Sequence, residues 1–157
     1  AWRPVRAVIV VAETPTMSQA SPQMKIDGNF AGETLKLTGF SLSSTTVSPG
    51  ENIELTLFWQ AEGPASRPYT VFNHLLDEGG QLAAQQDNWP VSGNWPPTCW
   101  HTGDIIVDDY LLLIPSDVEP GDYRLLSGLY DANSGNRVLL ENFRDAIELS
   151  TIAVTAP

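Results

Sequence analysis

Turn signals interrupt this sequence so often that no long regular element fits between them. From Gly32 onward, short apolar segments recur roughly every 8 to 15 residues. The clusters between them are rich in residues that set the backbone angles of tight turns, and they lie at 48–50, 63–64, 78–80, 119–122 and 133–136. No segment keeps a helical period, and only 135–145 has room for a helical turn. The spacing therefore predicts an all-β sandwich of about 8 to 9 strands, immunoglobulin-like or carbohydrate-binding-module-like.

Apolar alternation assigns individual strands, because successive side chains of a strand point to opposite faces. In 52–60 the odd-numbered residues are apolar, which places Trp59 in the core. Phe58 falls on the polar face, so we expect a neighbouring loop or a partner to cover it. The stretch 104–114 is apolar in both phases, which predicts a strand covered on both faces. Near the C-terminus the apolar phase slips by one residue, and a β-bulge near 150–151 would absorb it.

A hairpin is predicted where the strand 69–76 returns through 81–87 after a glycine-rich turn. The sequence leaves its register open. A two-residue turn would put His74 opposite Gln85, and a three-residue turn would put it opposite Ala84. His74 shares a strand face with apolar neighbours, so we expect a hydrogen-bonded histidine of the fold and not a ligand contact.

The segment 87–104 can be neither strand nor helix, because its three prolines fix φ and remove backbone donors. It also carries three of the five tryptophans of the chain: Trp89, Trp95 and Trp100. Large apolar side chains are costly to leave in water, so they either pack back onto the domain or form a platform for a ligand. We expect Trp100 to pack inward, while Trp89 or Trp95 remains available.

The length and charge of the chain limit its domain number and its partners. The 157 residues fit one domain with a single core, and 8 basic against 19 acidic residues give a net charge of −11. Such a surface repels phosphate backbones, so nucleic acid is not expected as a partner. The single cysteine, Cys99, rules out an intramolecular disulfide and a zinc site of paired cysteines. A thiol activated by His101 is an alternative to simple packing of Cys99, and we favour packing.

Composition divides the chain into two parts. Residues 5–11 are β-branched, as in a strand, and 13–23 have the composition of a linker. We therefore predict an N-terminal strand and linker over 1–24 and a β-sandwich domain over 25–157. The longest apolar run, 7–12, is too short to cross a bilayer or to serve as a signal peptide. We expect the sequence to be a piece of a longer protein.

The sequence lacks the motifs of common enzyme classes, since it has no phosphate loop, no G-x-S-x-G and no H-E-x-x-H. Two histidines are too few for a multi-histidine metal site. A hydrolase would need a pair of facing carboxylates, with candidates Asp87, Asp104, Asp108 and Asp109. Acidic residues at strand ends also ligate calcium, and a structural calcium site among Asp77, Asp87 or Asp104 is the alternative to hydrolysis. No catalytic residue is predicted, and the metal content stays open.

Sugar recognition is the sharpest functional interpretation of the segment 87–104. Pyranose rings stack their C–H faces on indoles, while carboxylates, amides and imidazoles bond the hydroxyls. Both kinds of group lie together here, and the candidate ligand-binding residues are Trp89, Trp95, Trp100, His101, Asp87, Asn94 and Asp104. The alternative, that the tryptophans only fix a proline-rich loop to the sandwich, carries more weight.

The order of motifs resembles a known family. The motifs are Leu37-Thr38-Gly39-Phe40, Pro49-Gly50, Leu55-Thr56-Leu57-Phe58-Trp59-Gln60, Tyr69-Thr70-Val71-Phe72-Asn73-His74-Leu75, Gln85-Gln86-Asp87, Pro97-Thr98-Cys99-Trp100, Pro120-Gly121-Asp122-Tyr123 and Gly128-Leu129-Tyr130-Asp131. This order, over roughly 27–141, is similar to that of C-terminal extramembrane domains of bacterial multi-spanning glycosyltransferases in the protein mannosyltransferase-like superfamily. Asn73 departs from the pattern, which has an apolar residue there.

The resemblance implies an extracytoplasmic accessory domain of a membrane-anchored protein, and no catalytic residue is assigned for such domains. Three hypotheses follow. The first is a noncatalytic module that recognises glycan or positions a neighbouring membrane glycosyltransferase domain. The second is a structural or protein-interaction domain with an exposed apolar patch or sheet edge. The third is a small hydrolase that uses the carboxylates.

Overall fold

The computed structural model describes residues 21–156, and this part of the chain contains nine β-strands and no α-helix. The strands are β1 Met24–Asn29, β2 Leu35–Leu42, β3 Thr46–Val47, β4 Asn52–Ala61, β5 Thr70–Leu76, β6 Leu82–Gln85, β7 Ile105–Leu113, β8 Gly121–Tyr130 and β9 Ile147–Val154. The predicted strand at 5–11 and most of the predicted linker lie outside the described residues. β1 begins at Met24, and the division into two parts stays a prediction.

The strands form two sheets that pack face to face. One sheet has four strands in the order β1-β2-β4-β7, and the other has five in the order β3-β9-β8-β5-β6. The apolar sides of the alternating strands meet between the sheets, where Trp59 is fully buried as predicted. Its ring lies 5.9 Å from that of Phe30. The predicted all-β sandwich is confirmed.

The β5–β6 hairpin combines the two registers that the sequence left open. Asp77 and Gln81 close a three-residue turn with a 2.9 Å backbone hydrogen bond. That turn alone would pair His74 with Ala84. A register shift between Leu75 and Leu76 moves the pairing by one residue, so that His74 lies opposite Gln85. The predicted bulge in β9 is also present, one residue earlier than expected, where the pairing partners of β8 change from Ser150 to Glu148.

Strand β7 departs from its predicted environment. It is an edge strand of the four-stranded sheet, and its inward residues are buried. On its other face Ile105, Leu111 and Leu113 are 55%, 47% and 60% exposed. The prediction of cover on both faces is therefore wrong, because within residues 21–156 these side chains on the outer face of the sheet stay exposed. Alternation in both phases indicated an apolar strand correctly but could not say what covers it.

Phe58 is buried although it points to the outer face of the same sheet. It pairs with Gly39 on β2 and Val107 on β7. A Cβ atom at Gly39 would lie 2.5 Å from Pro22, so the glycine leaves room for the proline to lie against the sheet. A neighbouring segment thus lies beside Phe58, in agreement with the sequence-based expectation.

After β8 the chain crosses the outer face of the five-stranded sheet through residues 137–146, which we call the strap. It leaves β8 through a bridge between Tyr130 and Arg137 and reaches β1 through a bridge between Phe30 and Leu140. Only the start of the strap therefore pairs with β8. The stretch 135–145, the only one with room for a helical turn, forms tight turns and no helix.

Gly128 on β8 lets the strap and an aromatic ring lie close to the sheet. A Cβ atom at this position would overlap the ring of Phe72 and would lie 3.3 Å from the carbonyl oxygen of Asp145. The missing side chain therefore admits both groups. Phe72 is fully buried even though it belongs to the outer face of β5.

Candidate functional site

The tryptophan segment is mostly part of the core. Trp95 and Trp100 are 2% and 1% exposed, and the ring of Trp100 lies 6.2 Å from that of Trp59. The indole N–H of Trp100 donates to the carbonyl of Trp95 at 3.2 Å. Trp100 packs inward as expected, and Trp89, 39% exposed, is the tryptophan of this segment that remains accessible. Trp95 and Trp100 therefore present no ring face to a ligand.

A buried carboxylate holds this segment to the sheet. The backbone N–H of Val91 donates to Asp108 Oδ1 at 2.8 Å, and the indole N–H of Trp59 donates to Asp108 Oδ2 at 3.1 Å. Asp108 is fully buried, and this burial raises its pKa from 3.8 to about 7 despite the two donors. Burial and the neighbouring Asp108 also raise the pKa of Tyr110. Asp108 thus connects the loop to the core.

The four candidate carboxylates of the hydrolase hypothesis do not face one another in one cleft. Asp108 is buried in the core, whereas Asp109 points outward and accepts from the Thr56 hydroxyl at 2.7 Å. Asp104 is buried and accepts from the backbone N–H of His101 at 2.9 Å. Asp87 lies beside β5 of the other sheet. Each of the four thus has its own structural contact, and none of the three clefts described below is lined by two of them.

The candidate calcium ligands also lie apart. Asp77 accepts from the backbone N–H of Gln81 at 2.8 Å within the hairpin turn. Asp87 accepts from the backbone N–H of Asn73 on β5, whereas Asp104 accepts from that of His101. Within residues 21–156 no three histidine, cysteine, aspartate or glutamate side chains are grouped as a metal site. A structural calcium ion stays a prediction.

Asp87 instead belongs to a charged and aromatic cluster on the outer face of the five-stranded sheet. His74 Nε2 lies 3.4 Å from Asp87 Oδ1, and His74 Nδ1 lies 3.4 Å from Arg137 Nη2. The His74 ring is 4.8 Å from that of Phe72, and the Arg137 guanidinium carbon lies 4.2 Å above the Phe72 ring centre. Arg137 also pairs with Asp145 at 3.4 Å. These contacts fix the start of the strap, as expected for a histidine of the fold.

The strap ends in a tight turn that exposes an aromatic side chain. Leu140 N–H donates to the carbonyl of Arg144 at 2.7 Å, and Phe143 N–H donates to the carbonyl of Leu140 at 2.9 Å. Asn142 adds a side-chain bond to the backbone N–H of Arg144 at 3.0 Å. Phe143 is 85% exposed and has a φ of 67°, a left-handed conformation that bulky residues rarely adopt. The turn therefore holds a large apolar ring in water at a backbone angle that costs energy.

This ring borders a cleft of about 390 Å³, within the size range of ligand sites. Its lining combines apolar and charged side chains: Arg124, Leu126, Leu139, Phe143, Arg144, Asp145, Ala146 and Glu148. Two larger clefts are present in the described part of the chain. One, of about 580 Å³, lies on the other side of the strap, between β1 and β9, and contains no aromatic residue. The other, of about 530 Å³, lies beside β7, and its one aromatic residue, Tyr110, is buried. We call the cleft beside Phe143 the Phe143 cleft and take it as the candidate binding site.

The binding site predicted from the sequence lies elsewhere. It comprises the tryptophan segment, where Asn94 and His101 lie with the buried tryptophans, and does not include the Phe143 cleft. The available signal was Phe143 itself, an aromatic residue between Asn142 and Arg144 in a polar stretch. Ligand binding by the predicted residues, including Trp89 and Asp87, stays a prediction.

No family model matches the sequence, and no curated protein matches it at a significant level. Among solved structures, the chain is similar to the C-terminal domain of wzt, with 12% identity, a TM-score of 0.55, and coverage of 88% of this chain and 83% of that one. At this identity the likeness shows the fold alone, a β-sandwich.

Two further structures overlap more loosely. The CARDB domain of a Pyrococcus furiosus protein has a TM-score of 0.40, 15% identity and coverage of 87% and 95%. The sporulation control protein Spo0M of Bacillus subtilis has a TM-score of 0.45, 13% identity and coverage of 79% and 50%. These scores are too low to inform function. Over 21–156, no helix has the length and apolar character needed to span a membrane.

Proposed function

We propose that this chain is a noncatalytic module that recognises glycan through the Phe143 cleft. The observation that carries the proposal is the 85% exposed Phe143, held at a left-handed φ beside a cleft with both apolar and charged walls. Strained residues that expose an apolar ring lower the stability of an isolated domain, and such strain is concentrated at binding sites. A sugar ring would stack its C–H face on Phe143, and the charged rim would bond its hydroxyls.

The setting of the module is also part of the proposal. The motif order over 27–141 supports an extracytoplasmic accessory domain attached to a membrane glycosyltransferase of the protein mannosyltransferase-like superfamily. The similarity to the C-terminal domain of wzt is compatible with a noncatalytic role, since it shows the same kind of sandwich. In that setting the module would hold a glycan or glycolipid near the transferase domain.

A glycan array probed with the 157-residue chain tests the recognition. We expect binding to a subset of oligosaccharides that Phe143→Ala abolishes. Leu82→Ala is the control, because it removes an exposed apolar side chain on β6, outside the cleft. Leu139→Ala would not serve, because Leu139 is about as exposed as Leu82 but lines the cleft. Absence of binding across a broad array, or binding that survives Phe143→Ala unchanged, contradicts the proposal.

A second candidate function is attachment to a protein strand through the edge of β7. Backbone bonds from Ala61 to Asp104 and from Ile114 to Glu51 show that even-numbered residues of β7 bond toward β4. The odd-numbered residues, which carry the exposed apolar side chains, therefore direct their N–H and C=O groups away from the sheet. Such an edge can accept an added strand.

The charge of this edge indicates which strand would fit. Asp109 is exposed in the middle of the apolar row, and the chain as a whole is strongly acidic. The fitting partner is an extended segment of a neighbouring domain with apolar side chains at alternate positions and a basic residue opposite Asp109. We expect a synthetic peptide with alternating valines and a central lysine to bind, and Leu111→Asp to abolish that binding. Self-association of the chain without peptide binding would contradict this choice of partner.

A further inference from the structure

We infer that the Phe143 cleft is specific for an acidic sugar, a pyranose that carries a carboxylate or a phosphate. The inference rests on the proposed glycan recognition and adds the chemical class of the ligand. Its basis is the distribution of positive charge in a chain that is otherwise acidic.

Cationic side chains are scarce and concentrated on one face. Residues 21–156 contain six lysine and arginine residues, and three of these, Arg124, Arg137 and Arg144, lie in or beside the Phe143 cleft. The chain carries a net charge of −11, so a random surface patch is expected to be acidic. The outer face of the five-stranded sheet is therefore the part of the described surface best suited to an anion.

Two of these arginines are available for a ligand. Arg137 is engaged by Asp145 and by the Phe72 ring. Within residues 21–156, neither Arg124 nor Arg144 takes part in an ion pair, in contrast to Lys36, which pairs with Glu62 at 3.0 Å. Guanidinium groups bond carboxylates and phosphates in a bidentate manner, which makes arginine suited to such anions.

The carboxylates of the cleft do not cancel this charge. Asp145 is the partner of Arg137, so its charge is balanced within the strap. Glu148 is then the one cleft carboxylate left beside Arg124 and Arg144. The remaining site has one more positive than negative charge, with Glu148 able to accept from ring hydroxyls.

The aromatic ring makes a bare anion a poor ligand for the whole cleft. Phe143, Leu126, Leu139 and Ala146 provide an apolar wall that an inorganic ion would not contact. A pyranose covers this wall with its C–H face and places its ionised substituent toward an arginine. The cleft therefore matches a ligand with one apolar face and one negative group.

Titration calorimetry on the 157-residue chain, with matched ligands, tests the inference. The probes are an oligouronate, a hexose phosphate, a neutral oligosaccharide of equal length and inorganic phosphate. We expect one or both acidic sugars to bind at least about tenfold more tightly than the neutral one. Binding of the oligouronate alone or of the hexose phosphate alone identifies the anion. Equal binding of neutral and acidic sugars overturns the inference but leaves the proposed function standing.

Arginine variants separate charge from stacking. Arg144→Gln and Arg124→Gln are expected to weaken binding of the acidic sugar about tenfold each, with the neutral sugar unaffected. Arg67→Gln is the matched control, because Arg67 pairs with Asp131 away from the cleft. Phosphate alone that binds as tightly as the sugars, or arginine variants that leave the affinity unchanged, contradicts the inference. Failure of every sugar to bind removes the proposed function as well.

The melting temperature of a Phe143 variant distinguishes loss of the binding surface from unfolding of the domain. Phe143→Asn places at this left-handed position a residue that adopts it more readily. We expect this variant to melt at the same temperature as the parent chain or higher, while it loses sugar binding. A variant that loses binding only because it unfolds would show a clearly lower melting temperature.

Discussion

The buried carboxyl of Asp108 makes the stability of the sandwich depend on pH in an unusual direction. Its pKa is about 7 in the folded chain, against 3.8 ordinarily, because it lies fully inside the core. Between these two values the folded chain holds a proton that the unfolded chain has released. The free energy of unfolding therefore falls as pH rises from about 4 to about 7 and levels off above that.

The size of the effect follows from the difference between the two pKa values. A rise from 3.8 to about 7 corresponds to a loss on the order of 4 kcal/mol over the whole window. The Val91 and Trp59 donors, at 2.8 and 3.1 Å, already reduce this loss, since they stabilise the ionised form. Asp108→Asn resembles the protonated carboxyl and should remove the dependence.

Urea unfolding at closely spaced pH values between 4 and 8 measures the pH dependence of the free energy of unfolding. We expect the difference in free energy of unfolding between the parent chain and Asp108→Asn to change steadily across the window. Asp109→Asn is the control, because its carboxylate is exposed and bonded to Thr56. Parallel stability profiles of the parent chain and Asp108→Asn over this range would contradict a raised pKa of Asp108.

Three further substitutions test the packing. Gly128→Ala should destabilise by about 1–3 kcal/mol, because the new methyl group overlaps Phe72; denaturant unfolding that shows a gain instead would contradict the close approach. Asn73→Val should cost about 1–3 kcal/mol, since it leaves the buried Ser127 hydroxyl without its 2.6 Å acceptor, and adding Ser127→Ala should recover part of the loss in a double-mutant cycle. Trp100→Ala should cost about 3–5 kcal/mol by thermal or chemical unfolding, which a surface position would not show.

Local sequence patterns predicted the strands well because period-two alternation and turn residues act over short distances. Trp59 and the hairpin around His74 were placed from a few neighbouring residues. The exact hairpin register could not be predicted from these residues alone. The turn and the register shift between Leu75 and Leu76 move the pairing in opposite directions, and His74 pairs according to their sum. Asn73 is a similar case, because its buried position depends on Ser127, which lies 54 positions away in sequence.

Local sequence patterns could not predict which parts of the chain pack against a given strand or side chain. The apolar residues of β7 gave no sign that this strand ends a sheet, and the tryptophans gave no sign of which of them the core would take up. Asp108 illustrates why: it holds the Trp89–Trp100 segment through Val91, which is 17 residues distant. The Phe143 cleft forms only when the strap crosses Gly128, a contact that no short-range motif encodes.

Amide chemical shifts of the ¹⁵N-labelled chain, titrated with an acidic oligosaccharide, test glycan recognition by the Phe143 cleft most directly. We expect saturable shift changes at 143–145 and around Arg124 and Leu126, and their loss in Phe143→Ala. Shifts confined to β7 or to Trp89, or no shifts at saturating ligand, would contradict glycan recognition by this cleft.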